Sequence, residues 1–285
     1  MKAVFTLTPA ESRRLLAKAT VAMPEVQEAN EKGYVILCGG VTNGLIAQEL
    51  LGRKDIEPQR FTAGISTRGV LCVTPPGERQ GGPFIIRQGQ VTSLTIREAL
   101  DDFHPETVVI KGGNAVDPEG NVGVITSGFD GGTVAMTIGT VTSTGLKYIF
   151  PIGLEKLVPS VREAAAWCGA KTFDYSIGAN FGMYCLSNGI VVTEIQALRI
   201  LAGVEAKHIA SGGVGGSEGA VVLAVQGEES HVRQALEIVE SIKGEPPIAG
   251  LLGICETCPY NCCFAGLKEA DLPAWLKALP RKESE

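Results

Sequence analysis

Apolar positions along this chain fall into two alternating rhythms. Short unbroken runs at residues 34–38 (YVILC), 108–110 (VVI) and 147–152 (KYIFPI) have the pattern of strands buried on both faces of a parallel sheet. Between them apolar residues return at helical spacing. Leu15, Leu16, Ala19 and Met23 follow a Thr8-Pro9-Ala10-Glu11 capping box, Leu45, Ile46, Leu50 and Leu51 follow the glycine turn at residues 39–44, and residues 96–103 repeat the spacing. This alternation predicts an α/β layered domain with a mostly parallel sheet.

Shorter signals fill the gaps. Residues 61–65 and 70–73 read as strands on either side of Ser66-Thr67-Arg68-Gly69, and the proline- and glycine-rich residues 75–83 read as a loop. The turn at residues 117–121 leads to a strand at 122–125, then to a helix capped by Asp130, and a further helix is predicted over 160–168. From about residue 169 the pattern changes. Strands at 171–177, 204–210 and 219–226, a helix running from 190–192 to 203 and another over 228–243 give the order β-α-β-β-α of a ferredoxin-like α+β unit. The chain thus divides into an α/β ligand-binding domain (1–168), a ferredoxin-like domain (169–245) and a Cys-rich tail (246–285) with a short helix at 272–279 and a frayed end at 281–285. Ferredoxin-like units commonly pair between subunits, so a homo-oligomer is expected.

Composition narrows the partners. With 45% hydrophobic and 20% charged residues, and with glycines that punctuate apolar runs without a fixed period, the chain is globular. A net charge of −6 and no long basic run argue against nucleic acid. The absence of a signal-peptide pattern or an uninterrupted membrane-length stretch points to a cytoplasmic protein that does not enter a membrane, with reduced cysteines. There is no GxGxxG or GxxxxGK[ST] spacing, hence no nucleotide motif, and none of the three histidines stands beside an obvious nucleophile.

The stretch at residues 108–139 carries the first chemical signal. Its strand ends in Lys111-Gly112-Gly113-Asn114, and ligands of open α/β sheets bind at such strand ends. Gly39-Gly40-Val41-Thr42-Asn43 is a second strand-glycine-helix unit. The candidate ligand-binding residues are Gly39, Gly40, Thr42, Asn43, Arg68, Lys111, Gly112, Gly113 and Asn114. In this reading Lys111 neutralises an anion and the N–H groups of Gly112 and Gly113 cradle it. The plain alternatives are tight turns for the glycines, a snorkelling strand-end lysine and a solvated turn arginine. The function read from these residues is binding of an anionic small molecule that is phosphorylated, carboxylated or CoA-linked, with catalysis on it left open and no catalytic residue assigned.

The second signal is Cys255-Glu256-Thr257-Cys258-Pro259-Tyr260-Asn261-Cys262-Cys263. Cys255, Cys258, Cys262 and Cys263 have a spacing that can hold zinc or an iron–sulfur cluster; a redox or disulfide pair and inert thiols are the other readings. This gives the alternative function, a redox accessory protein. Cys38, Cys72, Cys168 and Cys185 lie in or beside apolar segments and read as small core residues.

Lys111-Gly112-Gly113-Asn114-Ala115-Val116, Gly120, Gly131-Gly132-Thr133 and Phe150-Pro151-Ile152-Gly153-Leu154-Glu155-Lys156-Leu157 together resemble the lactate-utilisation (LUD) domain over residues 33–165. More distantly, the chain resembles the superfamily of ribose phosphate isomerases, glucosamine phosphate deaminases and CoA transferases. The resemblance implies an α/β layered fold, a ligand-binding turn at Gly39, Gly40, Thr42 and Asn43, another at Gly112, Gly113 and Asn114, and an association with iron–sulfur partners. It supplies no mechanism: the acidic base of the isomerases has no clear counterpart. Ser217-Glu218-Gly219, which resembles the glutamate-bearing turn of CoA transferases, reads better as a hairpin turn.

Overall fold

The computed structural model describes residues 1–102, 104–260 and 262–279. The chain opens with β1 (Lys2–Leu7), α1 (Pro9–Ala22), α2 (Pro24–Lys32), β2 (Val35–Leu37) and α3 (Val41–Leu51). The capping box starts α1 as predicted: Glu11 N–H donates to Thr8 Oγ1 at 3.3 Å and Thr8 N–H donates to Glu11 Oε2 at 2.9 Å. Two hairpins follow, β3 (Gly64–Thr67) with β4 (Val70–Val73), and β5 (Phe84–Arg87) with β6 (Gln90–Val91). Next come α4 (Ile96–Asp101), β7 (Val108–Ile110), β8 (Ala115–Val116), β9 (Val122–Thr126), α5 (Gly132–Thr144), β10 (Lys147–Pro151) and α6 (Val161–Ala166). The remainder is β11 (Gly182–Leu186), β12 (Ile190–Val192), α7 (Glu194–Ala202), β13 (Glu205–Ser211), β14 (Val221–Gln226), α8 (Glu229–Ile242) and α9 (Ala274–Lys277).

The fold is mixed α/β, organised around a six-stranded sheet in the order β12-β10-β7-β2-β5-β6. Its first four strands are mutually parallel, while β5 and β6 run antiparallel at the other edge. The unbroken apolar runs work as a doubly covered sheet demands. Val35, Leu37, Val108, Ile110 and Ile149 face one core, shared with α1, α3 and α7; Ile36, Val109, Tyr148 and Phe150 face the other, shared with α4 and α5. Each such side chain, removed from water, stabilises the fold by about 1.5–3 kcal/mol before entropy is counted.

The ferredoxin-like unit expected at 169–245 takes another form. Its strands do not make a sheet of their own: β12 extends the parallel sheet beside β10, β11 pairs antiparallel with β9, and β13 and β14 join β1 in the order β1-β14-β13. The helices that follow those strands, α7 and α8, contribute Ala197, Leu198, Val232, Ala235 and Val239 to the same core as α1. The expected boundary near residue 169 is therefore crossed by three sets of strand pairs. Residues 171–177, read as a strand, form turns and bends. The expected helix end at Phe103 and the expected frayed end at residues 281–285 lie outside the described residues. Among the described residues no helix is long and apolar enough to cross a membrane.

Candidate anion site and a cysteine-lined cavity

The C-terminal ends of β2, β7 and β10 carry, in turn, Cys38, Lys111 and the loop that leads to Lys156. Lys111 Nζ donates to the carbonyl of Gly39 at 3.4 Å and to that of Gly112 at 3.2 Å, so it spans the ends of β2 and β7. Lys156 Nζ donates to the carbonyl of Gly113 at 3.0 Å. Burial pushes the Lys111 ammonium below its ordinary range, against the opposing influence of the Cys38 sulfur. Burial also lowers Lys156, to about 8, and the charges of Arg13 and Lys111 add to that effect while Glu155 and Glu194 oppose it. Among the described residues neither lysine forms an ion pair; only carbonyl oxygens meet their ammonium groups.

Around them the first turns of two helices close in. Gly40 caps α3, its N–H bound to the Phe61 carbonyl at 2.7 Å, and Thr42 and Asn43 are buried in the first turn. Asn43 Nδ2 donates to the carbonyls of Cys38 at 2.7 Å and Ile110 at 3.1 Å, a side-chain tie between β2 and β7, while its Oδ1 is buried with no partner. The Cys38 thiol is raised by burial, an effect opposed by Lys111 and by the hydroxyl of Thr133 at the start of α5. Asp130 serves α5, though not as its cap: Gly131 takes the cap with φ 75°, and Asp130 Oδ1 accepts from Gly132 N–H at 3.0 Å.

Beyond Lys156 lies a charged group that the sequence did not single out. Arg13 pairs with Glu155 at 2.8 Å. Glu194, fully buried at the start of α7, accepts from Leu154 N–H at 2.9 Å through Oε2 and leaves Oε1 unpartnered; burial raises its carboxyl above the usual range, against the Leu154 hydrogen bond. The only trace of Glu194 in the sequence is a carboxylate in an otherwise apolar stretch, and its Thr193 neighbour disguises it as ordinary helix-capping chemistry.

The predicted site residues take three kinds of place. Gly39, Gly40, Thr42, Asn43, Lys111, Gly112 and Gly113 come together at the strand ends, but Gly39, Gly112 and Gly113 present carbonyls to the lysines. Gly113 has a packing reason as well, since a Cβ there would sit 2.6 Å from both Ile152 Cδ1 and Val122 Cγ1. Asn114 turns outward, and its Oδ1 accepts from Ile125 N–H at 3.0 Å, tying the loop to β9. Arg68 occupies the left-handed turn (φ 53°) between β3 and β4, on a separate two-stranded sheet. Glu218 belongs to the exposed β13–β14 connection and accepts from Gly216 N–H at 2.9 Å.

The cysteine tail packs on that β3–β4 hairpin and the loop before β11. Cys72 on β4, with Cys255, Cys258 and Cys262, lines a cavity of about 40 Å³, enough for more than one water. Buried Leu252, Phe264 and Leu276 supply apolar walls. Gly253 N–H donates to Cys72 Sγ and Phe264 N–H to Cys262 Sγ, both at 3.4 Å. Burial raises the Cys258 and Cys262 thiols. Cys263 is exposed, does not line the cavity, and accepts from Ser176 N–H at 3.4 Å. Among the described residues no three His, Cys, Asp or Glu side chains group closely enough to hold a metal ion. No family model, curated protein or solved structure matches the chain.

Proposed function

We propose that the C-terminal edge of the parallel sheet binds an anionic small molecule, phosphorylated, carboxylated or CoA-linked, with Lys111 and Lys156 as its cationic contacts. The observation that carries this reading is a pair of half-buried ammonium groups at neighbouring strand ends, each met, among the described residues, only by backbone carbonyls. Taking an ammonium out of water costs several kcal/mol unless a counter-charge repays it. Carbonyls offer hydrogen bonds but no net charge, and the charges of Glu155 and Glu194 offset burial at Lys156 only in part, so an incoming anion supplies the remainder. The α3 first turn adds N–H groups beside the buried, unpartnered Asn43 Oδ1, which would take a donor from a ligand hydroxyl or a water. Lys156, at about 8, also holds an appreciable uncharged fraction near neutral pH, the state required of an amine that accepts a proton.

Calorimetric titration with inorganic phosphate, a sugar phosphate, a short carboxylate and CoA tests the proposal. Binding that weakens with added salt and disappears in Lys111→Met supports it. Failure of all four to bind, or binding indifferent to Lys111→Met, overturns it.

A further inference from the structure

We propose that Cys72, Cys255, Cys258 and Cys262 bind an iron–sulfur cluster through four thiolates, with the hairpin residue Cys72 in the place that sequence spacing gives to Cys263. Three observations carry the assignment. The sulfur-bearing residues come from two distant parts of the chain yet line one cavity. Backbone N–H groups point at the sulfurs: Gly253 at Cys72 and Phe264 at Cys262. Such donors offset the negative charge of a thiolate-ligated cluster and tune it. The cavity walls between them are apolar, with Leu252, Phe264 and Leu276 buried.

The placing of the ligands around a cavity distinguishes a cluster from a single ion. A single zinc at about 2.3 Å from each sulfur needs thiolates about 3.8 Å apart. The four cysteines line the walls of one cavity, and among the described residues no three metal-ligating side chains group for a single ion. A cluster of several irons bridged by sulfide holds its thiolates further apart and fills the space between them. On binding, each thiol loses its proton to solvent as its sulfur bonds an iron; the iron and sulfide enter from outside, with no change in the oxidation state of the protein's sulfurs. Cys263 stands aside, exposed and engaged with Ser176. This site shares no residue with the strand-end lysines, so the two proposals stand or fall separately.

The test is anaerobic purification of the full chain, followed by reconstitution with ferrous and ferric iron and sulfide. Iron, acid-labile sulfide and zinc are then assayed, and a visible spectrum is recorded. Wild type and Cys263→Ser should hold stoichiometric iron and sulfide with a broad visible band, and Cys72→Ser and Cys258→Ser should lose most of both. Because a serine variant can fail for lack of folding, alkylation of the loaded wild-type protein is mapped by mass spectrometry. Cys72, Cys255, Cys258 and Cys262 should be protected until a chelator is added, while Cys263 and Cys185 label throughout. Stoichiometric zinc without iron, full iron retention in Cys72→Ser, or protection of Cys263 in place of Cys72 would each overturn the assignment.

Discussion

Lys111 and Lys156 donate their ammonium hydrogens to consecutive carbonyls of one loop, those of Gly112 at 3.2 Å and Gly113 at 3.0 Å. One loop thus orients two cations from different strand ends, and the charge of Lys111 depresses the proton affinity of Lys156. Replacing Lys111 by methionine keeps the stem and removes the half-buried charge. Anion affinity should fall by roughly 10- to 100-fold, the worth of one charge-assisted hydrogen bond, while the unliganded fold stays as stable or gains. Calorimetry and urea melts on the same samples read both effects.

Lys156 gives the pH dependence its sign. It titrates at about 8 in the folded chain and at an ordinary 10.5 when released. Between those values the unfolded chain holds more protons, so stability of the ligand-free fold should rise as pH climbs through that window. Anion affinity should move the opposite way, falling as Lys156 loses its proton. Urea midpoints and calorimetric titrations across the window check both slopes; an affinity that rises with pH would remove Lys156 from the site.

Glu194 works on the same lysine from the buried side, its charge raising the proton affinity of Lys156. Glu194→Gln removes that charge, so the Lys156 titration should move below its value of about 8. Nuclear magnetic resonance of selectively labelled lysine follows the midpoint directly, and an unmoved midpoint would show that the two groups do not communicate.

Asn43 ties the ends of two adjacent parallel strands through Cys38 and Ile110. Asn43→Leu takes away the side-chain donor to the Cys38 carbonyl and one of two donors to the Ile110 carbonyl, which keeps the Cys38 N–H at 3.0 Å, and should cost about 1–3 kcal/mol in a denaturant melt. The loss should exceed any change in Asn114→Ala, whose side chain makes a single exposed contact with Ile125.

Gly178 brings the loop before β11 against the hairpin. With φ 102°, it occupies left-handed space, and a Cβ there would run into the Leu71 carbonyl oxygen. Gly178→Ala should destabilise by about 1–3 kcal/mol and loosen the wall of the cysteine cavity. Iodoacetamide labelling of Cys262 should quicken in the metal-free protein while Cys185 is unchanged.

What could be read in advance follows the range of the interactions. The parallel strands were legible because burial on both faces leaves an unbroken apolar run, and Lys111 because such a run ends in Lys-Gly-Gly. Lys156 gives no local sign of a site, because its partner, Gly113, reaches it only after β7 and β10 pair. Cys72 sits in a four-residue apolar strand and looks like filler until residues 252–265 are laid over it.

The same limit explains the strands that went unseen. β1 alternates exposed and inward residues over Lys2–Leu7, a weak signal beside the capping box that follows at once, and its partner β14 lies almost the whole chain away. The ferredoxin-like order in residues 169–245 was a local pattern with the correct helices. Pairing with β1, β9 and β10 overrode it because those strands had edges to fill.

The pairing of β1 with β14 sets the order in which the protein can be made. β1 precedes its partner Val221–Gln226 by more than two hundred residues, and among the described residues it pairs with no other strand, so it waits unsatisfied until that distant segment is available. The parallel sheet is under a similar restraint, since its edge strand β12 comes after the loops that carry both lysines. Such distant closures are paid in chain entropy before any contact repays them, which makes folding slow for the chain's length. The strand ends that hold Lys111 and Lys156 acquire their full surroundings only once β12 has added itself to β10, well after both lysines have entered the chain.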